Sequence, residues 1–211
     1  MSSTASTANS ESARAPRARR RLGRVGLLAC LALLLPGCAA ARLGGGGAGS
    51  DSIFESAEGR FRVLMPEDRE ESIEKVNTPA GELDTHSVTG AVSGSEIFGV
   101  FYSDVPEHTG VINVDAAFEG AINNSLAAAP GMALTYRNRT FAYGGPAMDY
   151  TLEGAEQKVW ARIAVVGRRI YLIQHSGPKT EASEQNYNRY VDTFEVLTKA
   201  EVEQARGGLV G

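Results

Sequence analysis

The chain has 211 residues, 43% of them hydrophobic, and a formal net charge of −4, which fits a folded globular protein. Proteins that bind nucleic acid carry a basic patch or stripe, so this acidic chain predicts that nucleic acid is not a partner.

The first 37 residues predict an export signal. Six arginines lie within residues 1–24, and residues 25–35 carry no charge. A basic segment before a short apolar segment is typical of such signals, and this apolar run is shorter than the roughly 20 residues that span a bilayer. Residues 18–24 resemble a twin-arginine signal, but arginine-rich segments also occur in ordinary Sec signals. Both export routes therefore stay open.

Residues 35–38, Leu-Pro-Gly-Cys, resemble a bacterial lipobox. In that family the cysteine thiol receives a diacylglyceryl group and the chain is cleaved directly before the cysteine. We therefore predict that residues 1–37 are removed and that Cys38 carries a lipid. The protein would be a membrane-anchored lipoprotein, on the outer side of the cytoplasmic membrane or in the outer membrane. The alternative is a plain cleaved signal in which Cys38 is incidental.

Cleavage before Cys38 would leave one acidic domain on a short tether. Loss of six arginines and one glutamate changes the net charge to about −9. Cys38 would then be the sole cysteine, which excludes an intrachain disulfide and a cysteine-based zinc site. Residues 38–50 are rich in glycine and predict a flexible tether of roughly 20 Å. We expect a single domain over residues 51–199 and a flexible tail over residues 200–211.

The first half of this domain predicts five strands. Four segments flank turn residues and suggest two antiparallel pairs. They are residues 53–56, 60–65, 72–78 and 82–88. Residues 97–105 are apolar on both faces, which is typical of a central strand covered on both sides.

The second half predicts two capped helices and further strands. Asn113 caps a predicted helix over residues 114–129, and Thr180 caps another over residues 181–192. Strands are predicted at residues 134–142 and 148–152, and residues 195–197 predict a short strand or an extension of the second helix. Residues 158–176 predict a hairpin around the two-residue turn Gly167-Arg168, with glycine first as a type II′ turn prefers. Its register would pair Val165 with Ile170, Ile163 with Leu172 and Trp160 with His175. Sequential hairpins and two amphipathic helices predict an α+β fold, an antiparallel β-sheet covered by the helices.

Four stretches together resemble a group of uncharacterised bacterial exported proteins with a PsbP-like α/β/α sandwich. They are residues 61–66 (FRVLMP), residues 78–81 (TPAG) followed by His86, residues 101–106 (FYSDVP) and residues 166–171 (VGRRIY). The resemblance covers about residues 53–197. PsbP is a non-catalytic accessory protein, so the resemblance implies a binding or assembly module with an unknown envelope partner or ligand. It implies no cofactor and transfers no functional residue.

Two sets of side chains are candidates for a site. Asp84, His86, Asp104 and His108 would converge as metal ligands if their strands were neighbours, or remain separate polar groups. Trp160, Tyr171 and His175 would line a binding surface, or would only stabilise the sheet as cross-strand pairs.

The alternative function is an envelope enzyme, such as a metal-assisted hydrolase. Ser87 and Ser103 lie near the histidines, but no G-x-S-x-G motif accompanies them. We therefore assign no catalytic, cofactor or metal residue and favour the non-catalytic module.

Overall fold

The computed structural model describes residues 50–78 and 81–207. These residues form two antiparallel sheets, two longer helices and two short ones. The elements in chain order are β1 (Asp51–Ser56), β2 (Phe61–Pro66), β3 (Arg69–Thr78), β4 (Gly81–Ser93), β5 (Glu96–Asp104), a 3-10 helix (Glu107–Thr109), α1 (Val114–Ala128), β6 (Ala133–Ala142), β7 (Gly145–Glu153), β8 (Gln157–Val166), β9 (Arg169–Pro178), α2 (Glu181–Val191), β10 (Glu195–Val196) and α3 (Lys199–Gly207).

The larger sheet has seven strands in the order β3-β4-β5-β9-β8-β7-β6. It consists of two meanders, β3-β4-β5 and β6-β7-β8-β9, joined by the pairing of β5 with β9. This single long-range pairing places a strand from each half of the chain at the centre. The predicted antiparallel sheet and the central position of β5 are both confirmed.

The helices cover opposite faces of this sheet. On one face, α1 packs mainly against β7 and β8, with Phe118 and Ile122 fully buried. On the other face, α2 packs together with the small sheet β1-β2-β10 and buries Tyr190 and Phe61. The result is an α/β/α sandwich, as the predicted α+β class requires.

Local capping chemistry sets the start of both longer helices. The Asn113 side chain accepts a hydrogen bond from the backbone N–H of Ala116 at 3.1 Å, and Thr180 Oγ1 accepts one from Ser183 at 3.2 Å. Each bond satisfies a backbone donor that the first helical turn leaves without a partner. Both predicted caps are confirmed.

The hairpin of β8 and β9 has the register expected from the sequence. Its three confirmed cross-strand pairs are Val165 with Ile170, Ile163 with Leu172 and Trp160 with His175. Gly167 has φ +61°, the left-handed value that the first residue of a type II′ turn requires. This two-residue turn therefore fixes the register of the hairpin, and the register determines which side chains lie on each face of the sheet.

The C-terminal region has the strand, one of the two alternatives for residues 195–197, but differs from the predicted tail that follows. Residues 195–196 form a strand that pairs with β2 and completes the small sheet. Residues 199–207 form α3, where we expected a flexible tail from residue 200. Val202 is buried, and the backbone N–H of Thr198 donates to Glu201 at 2.8 Å. One apolar anchor and one capping interaction thus hold a helix that is otherwise polar.

The predicted signal peptide over residues 1–37, the lipidation site Cys38 and the tether up to residue 49 lie outside the described residues. Within residues 50–78 and 81–207, no helix is long and apolar enough to span a membrane.

Candidate functional site

The three residues predicted to line a binding surface are buried. Trp160 is 4% exposed, Tyr171 is 1% exposed and His175 is fully buried, because β8 and β9 lie in the middle of the sheet beneath α2. Trp160 does lie beside His175, with ring centroids 5.8 Å apart. The Tyr171 hydroxyl donates to the Gly59 carbonyl at 2.8 Å. These side chains pack between the layers of the fold. The prediction that they line a binding surface is therefore wrong.

The predicted polar cluster does lie on neighbouring strands, but its carboxylates already have partners. Asp84 forms an ion pair with Lys75 at 3.2 Å. Asp104 accepts two hydrogen bonds from the guanidinium of Arg169, at 2.8 and 2.5 Å. These charge-assisted bonds lower the pKa of Asp104 because they favour the ionised carboxylate.

The two histidines of that cluster also lie in separate surroundings. The ring of His86 stacks on Tyr102 with centroids 4.6 Å apart, and its Nδ1 lies 3.7 Å from the Glu58 carboxylate. His108 belongs to the short 3-10 helix that follows β5. In the described part of the chain, no group of three or more histidine, cysteine, aspartate or glutamate side chains is placed to hold a metal ion. The four residues therefore lie on or just after the neighbouring strands β4 and β5, but their side chains do not converge on one metal site.

A buried polar cluster, which sequence reasoning missed, joins the start of β5 to α2. Glu96 accepts hydrogen bonds from Ser183 Oγ at 2.5 Å and from Asn186 Nδ2 at 2.7 Å. His175 Nε2 lies 3.8 Å from the same carboxylate, and burial lowers the pKa of His175. The sequence signal was an acid at the start of a strand that is otherwise apolar. Because the cluster is enclosed, we assign it to stability.

An open groove lies on the α1 side of the large sheet. Since α1 packs mainly on β7 and β8, strands β3 and β4 and the start of β5 are left open on this face. The groove between them and the C-terminal end of α1 has a volume of about 490 Å³. Such a volume lies within the usual range for binding sites.

Strand hydroxyls form much of the groove floor. Ser72 and Ser87 share a hydrogen bond of 2.8 Å between their hydroxyls, and Thr85 and Ser103 share one of 2.9 Å. The two serines considered as nucleophiles are thus bonded to other hydroxyls rather than to an imidazole that could activate them.

The inner wall of the groove contains a polar group without a partner. Gln174 lines the groove from β9, and its side-chain oxygen is buried with no hydrogen-bond partner among the described residues. A buried acceptor without a donor costs roughly 1–3 kcal/mol. The side chain as a whole is partly exposed, so a turn of its amide toward the groove would let a ligand supply that donor.

The outer wall is acidic. Asp68, Glu70 and Glu74 line the groove at its β3 side and are exposed. None of the three has a salt bridge to another described residue, whereas the neighbouring Lys75 pairs with Glu82 and Asp84. The groove therefore presents negative charge to solvent without a counter-ion from the described residues.

The chain was also compared with known proteins. No protein-family model matches it, and no curated protein is detectably similar to it. The solution structure of cyanobacterial PsbP from Synechocystis sp. PCC 6803 superposes with a TM-score of 0.50 at 13% identity, covering 77% of this chain and 98% of that one. The chain has a PsbP-like fold. At this identity, the PsbP likeness shows the fold alone and transfers no binding residue.

Two further solved structures are less similar. A Pseudomonas aeruginosa protein of unknown function has a TM-score of 0.36 at 15% identity, covering 66% of this chain and 90% of that one. A Bacteroides thetaiotaomicron protein has a TM-score of 0.32 at 13% identity, covering 73% of this chain and 50% of that one. The predicted PsbP-like sandwich therefore rests on the Synechocystis structure.

Proposed function

We propose that this chain is a lipid-anchored protein of the cell envelope whose PsbP-like domain is a non-catalytic binding or assembly module. The groove over β3, β4 and β5 is the binding site. The observation that carries the proposal is the open half of the large sheet, where polar side chains face solvent beside a buried acceptor that lacks a donor. The N-terminal sequence pattern supports the location.

The chemistry of the groove favours binding over reaction. Ser72 and Ser87 are bonded to each other, and the carboxylates of the groove lie on its exposed wall. Groups of this kind orient a ligand through hydrogen bonds and charge. The seven-stranded sheet fixes the backbone that carries these groups, so the loss of freedom when a partner binds is mainly that of side chains.

Site-specific photo-crosslinking in native membranes tests this proposal. A photoreactive residue at Thr89 or Ser176, both of which line the groove, should crosslink to a defined envelope partner. The same residue at exposed Glu203 on α3 is the matched control. An adduct formed from both groove positions and absent from position 203 would support the proposal. Equal crosslinking from all three positions, or none from the groove, would contradict it.

A further inference from the structure

The groove is negative on more than one side. Asp68, Glu70 and Glu74 form its outer wall, and Ala128 and Ala129 place the C-terminal end of α1 at its inner side. A helix C-terminus carries partial negative charge, and the last turn of α1 contains no basic residue that would offset it. The partial charge of the helix end and the charges of the side chains are therefore both negative.

The unpartnered oxygen of Gln174 adds a specific requirement. It is buried in the groove wall and accepts no hydrogen bond from the described residues. An ammonium or guanidinium group is rich in donors and has no acceptor, so it satisfies the surrounding negative charge and, once the partly exposed Gln174 amide turns toward the groove, this oxygen as well. This observation is independent of the carboxylates and points to the same ligand chemistry.

The spacing of the carboxylates favours an extended ligand over a single ion. Glu70 and Glu74 alternate with Ser72 on one face of β3, so their backbones are about 13 Å apart along the strand. No set of three acidic or histidine side chains in the described residues is close enough to hold a metal ion. An extended peptide, in contrast, presents every second side chain to one face with the same repeat as β3.

We propose that the groove binds an extended basic segment of an envelope protein, with lysine or arginine side chains over Asp68, Glu70 and Glu74 and a donor group on Gln174. This inference rests on the proposed function, since it names the ligand class of the same groove. The basic residues on β3 of a second copy are already engaged, because Arg69 lies over the Phe54 ring and Lys75 pairs with Glu82 and Asp84. The arginines of the opposite edge strand, Arg137 and Arg139, already pair with α1 through Glu119 and Asp115.

Peptide binding to the purified full-length chain in a non-ionic detergent tests the inference. The probe is a labelled octapeptide of alternating lysine and threonine, and binding is measured by fluorescence anisotropy at low salt. Its counterpart with glutamine in place of lysine should bind at least tenfold more weakly. Affinity for the lysine peptide should fall as salt rises, because the attraction is between partly exposed charges.

Matched variants separate the groove from the general acidity of the chain. The triple variant Asp68→Asn, Glu70→Gln, Glu74→Gln should lower the affinity at least tenfold. The control triple variant removes three exposed carboxylates elsewhere, Glu55→Gln, Glu107→Gln and Glu203→Gln, and should change it less than threefold. Equal losses in both triple variants would show non-specific attraction and overturn the inference.

Two further variants test the contribution of Gln174 and of the sign of the charge. Gln174→Leu should weaken binding of the lysine peptide severalfold. The triple variant Asp68→Lys, Glu70→Lys, Glu74→Lys should reverse the preference toward a glutamate peptide. Circular dichroism melts confirm that each variant is folded. Stoichiometric calcium binding abolished by the groove triple variant would assign an ion site instead, and concentration-dependent dimerisation through the groove would assign a second copy. Either result overturns the inference, whereas groove crosslinking to a partner without a preference for basic peptides leaves the proposed function intact.

Discussion

His175 is a buried imidazole whose only nearby charged partner is the Glu96 carboxylate, 3.8 Å away, among the described residues. Both of its ring nitrogens are buried without a hydrogen-bond partner in that part of the chain. Burial lowers its pKa in the folded protein, while Glu96 opposes this with a smaller effect. The folded protein therefore resists a proton that the unfolded chain accepts at a pKa of about 6.5.

The sign of the pH dependence follows from this difference. Above about pH 6.5 neither state binds the proton, so His175 does not affect stability there. As the pH falls from about 6.5, the unfolded state binds more protons, and the free energy of unfolding should fall by at most about 1.4 kcal/mol per pH unit. Denaturant melts between pH 7.5 and 5 measure this slope. His175→Phe should flatten it, and an unchanged slope in the variant would assign the effect to other groups.

Ile163 on β8 is fully buried in the core beneath α1, which includes Phe118 and Ile122. Ile163→Ala removes three carbon atoms from this close-packed region and should cost about 2–5 kcal/mol in the free energy of unfolding. Ile53→Ala is the control, because Ile53 is 59% exposed and its loss should cost less than about 0.5 kcal/mol. Urea melts of both variants provide the comparison. A loss below about 1 kcal/mol for Ile163→Ala would show that this position is not core.

At the scale of elements, local chemistry made much of the fold predictable. Asn113, Thr180 and Gly167 each determine a cap or turn through their own side chain or backbone freedom, so a single sequence reveals them. The helix α3 was missed, and residues 195–197 were left open between a short strand and a helix extension, because distant groups stabilise both elements. Residues 195–196 pair with β2, and Val202 packs as a lone buried residue. Neither element has a periodic pattern long enough to be recognised.

The groove could not be predicted for a similar reason. The alternating polar residues of β3 and β4 are typical of a solvent-facing strand, and nothing in them shows what lies beside them. Only the pairing of β5 with β9 brings Ser87 and Gln174 to one concave surface. The prediction that Trp160 and Tyr171 line a surface was wrong. The strand register shows which residues are neighbours, but their burial depends on α2, which packs over these strands.

One side chain makes most of the hydrogen bonds between the β8–β9 turn and the segment that joins β5 to α1. The Arg168 guanidinium, in the turn of the β8–β9 hairpin, donates to the carbonyls of Val105 at 2.8 Å, Gly110 at 2.9 Å and Pro106, and to Thr109 Oγ1 at 3.0 Å. Arginine suits this role because its planar fork presents several donors at once. The 3-10 helix and the hairpin turn are thereby joined.

Arg168→Ala should release this segment without unfolding the sheet. Hydrogen–deuterium exchange should rise over residues 105–110, and the free energy of unfolding should fall by about 1–3 kcal/mol, as expected for bonds to a charged group. Arg168→Lys keeps the charge but loses the fork, so it should give an intermediate result. If exchange over residues 105–110 is unchanged in Arg168→Ala, the arginine does not hold the segment.

At the scale of the whole molecule, the two halves of the chain depend on each other. The β3-β4-β5 meander has its own strand pairing, but α1 and α2 both lie after β5 in sequence. The first half therefore reaches the core through the β5–β9 pairing and through β2, which packs beneath α2. The groove extends across this junction, so it forms only when both halves have docked. Binding at the groove and stability of the junction are accordingly linked.

The proposed anchor determines where this domain acts. A single acyl chain gives only marginal membrane binding, with an association constant on the order of 10⁴ M⁻¹, so stable anchoring requires a second signal. A mature chain with a net charge of about −9 offers no polybasic patch to anionic lipids. A diacylglyceryl group on Cys38 would supply two chains at once, with each buried methylene contributing about 0.8 kcal/mol. The protein should therefore fractionate with membranes and resist high-salt washes.

Cys38→Ala should remove both the lipid and the cleavage before residue 38. The variant should either retain residues 1–37 or be cut elsewhere and appear soluble outside the cytoplasm. Cys30→Ala is the matched control, because only five residues separate Cys30 from Arg24 and a lipobox needs a longer apolar segment before it. This control should still be processed and fractionate with membranes. Mass spectrometry of the N-terminal peptide decides the matter, since an unmodified Cys38, or a mature chain that starts at another residue, would show that the protein is not a lipoprotein.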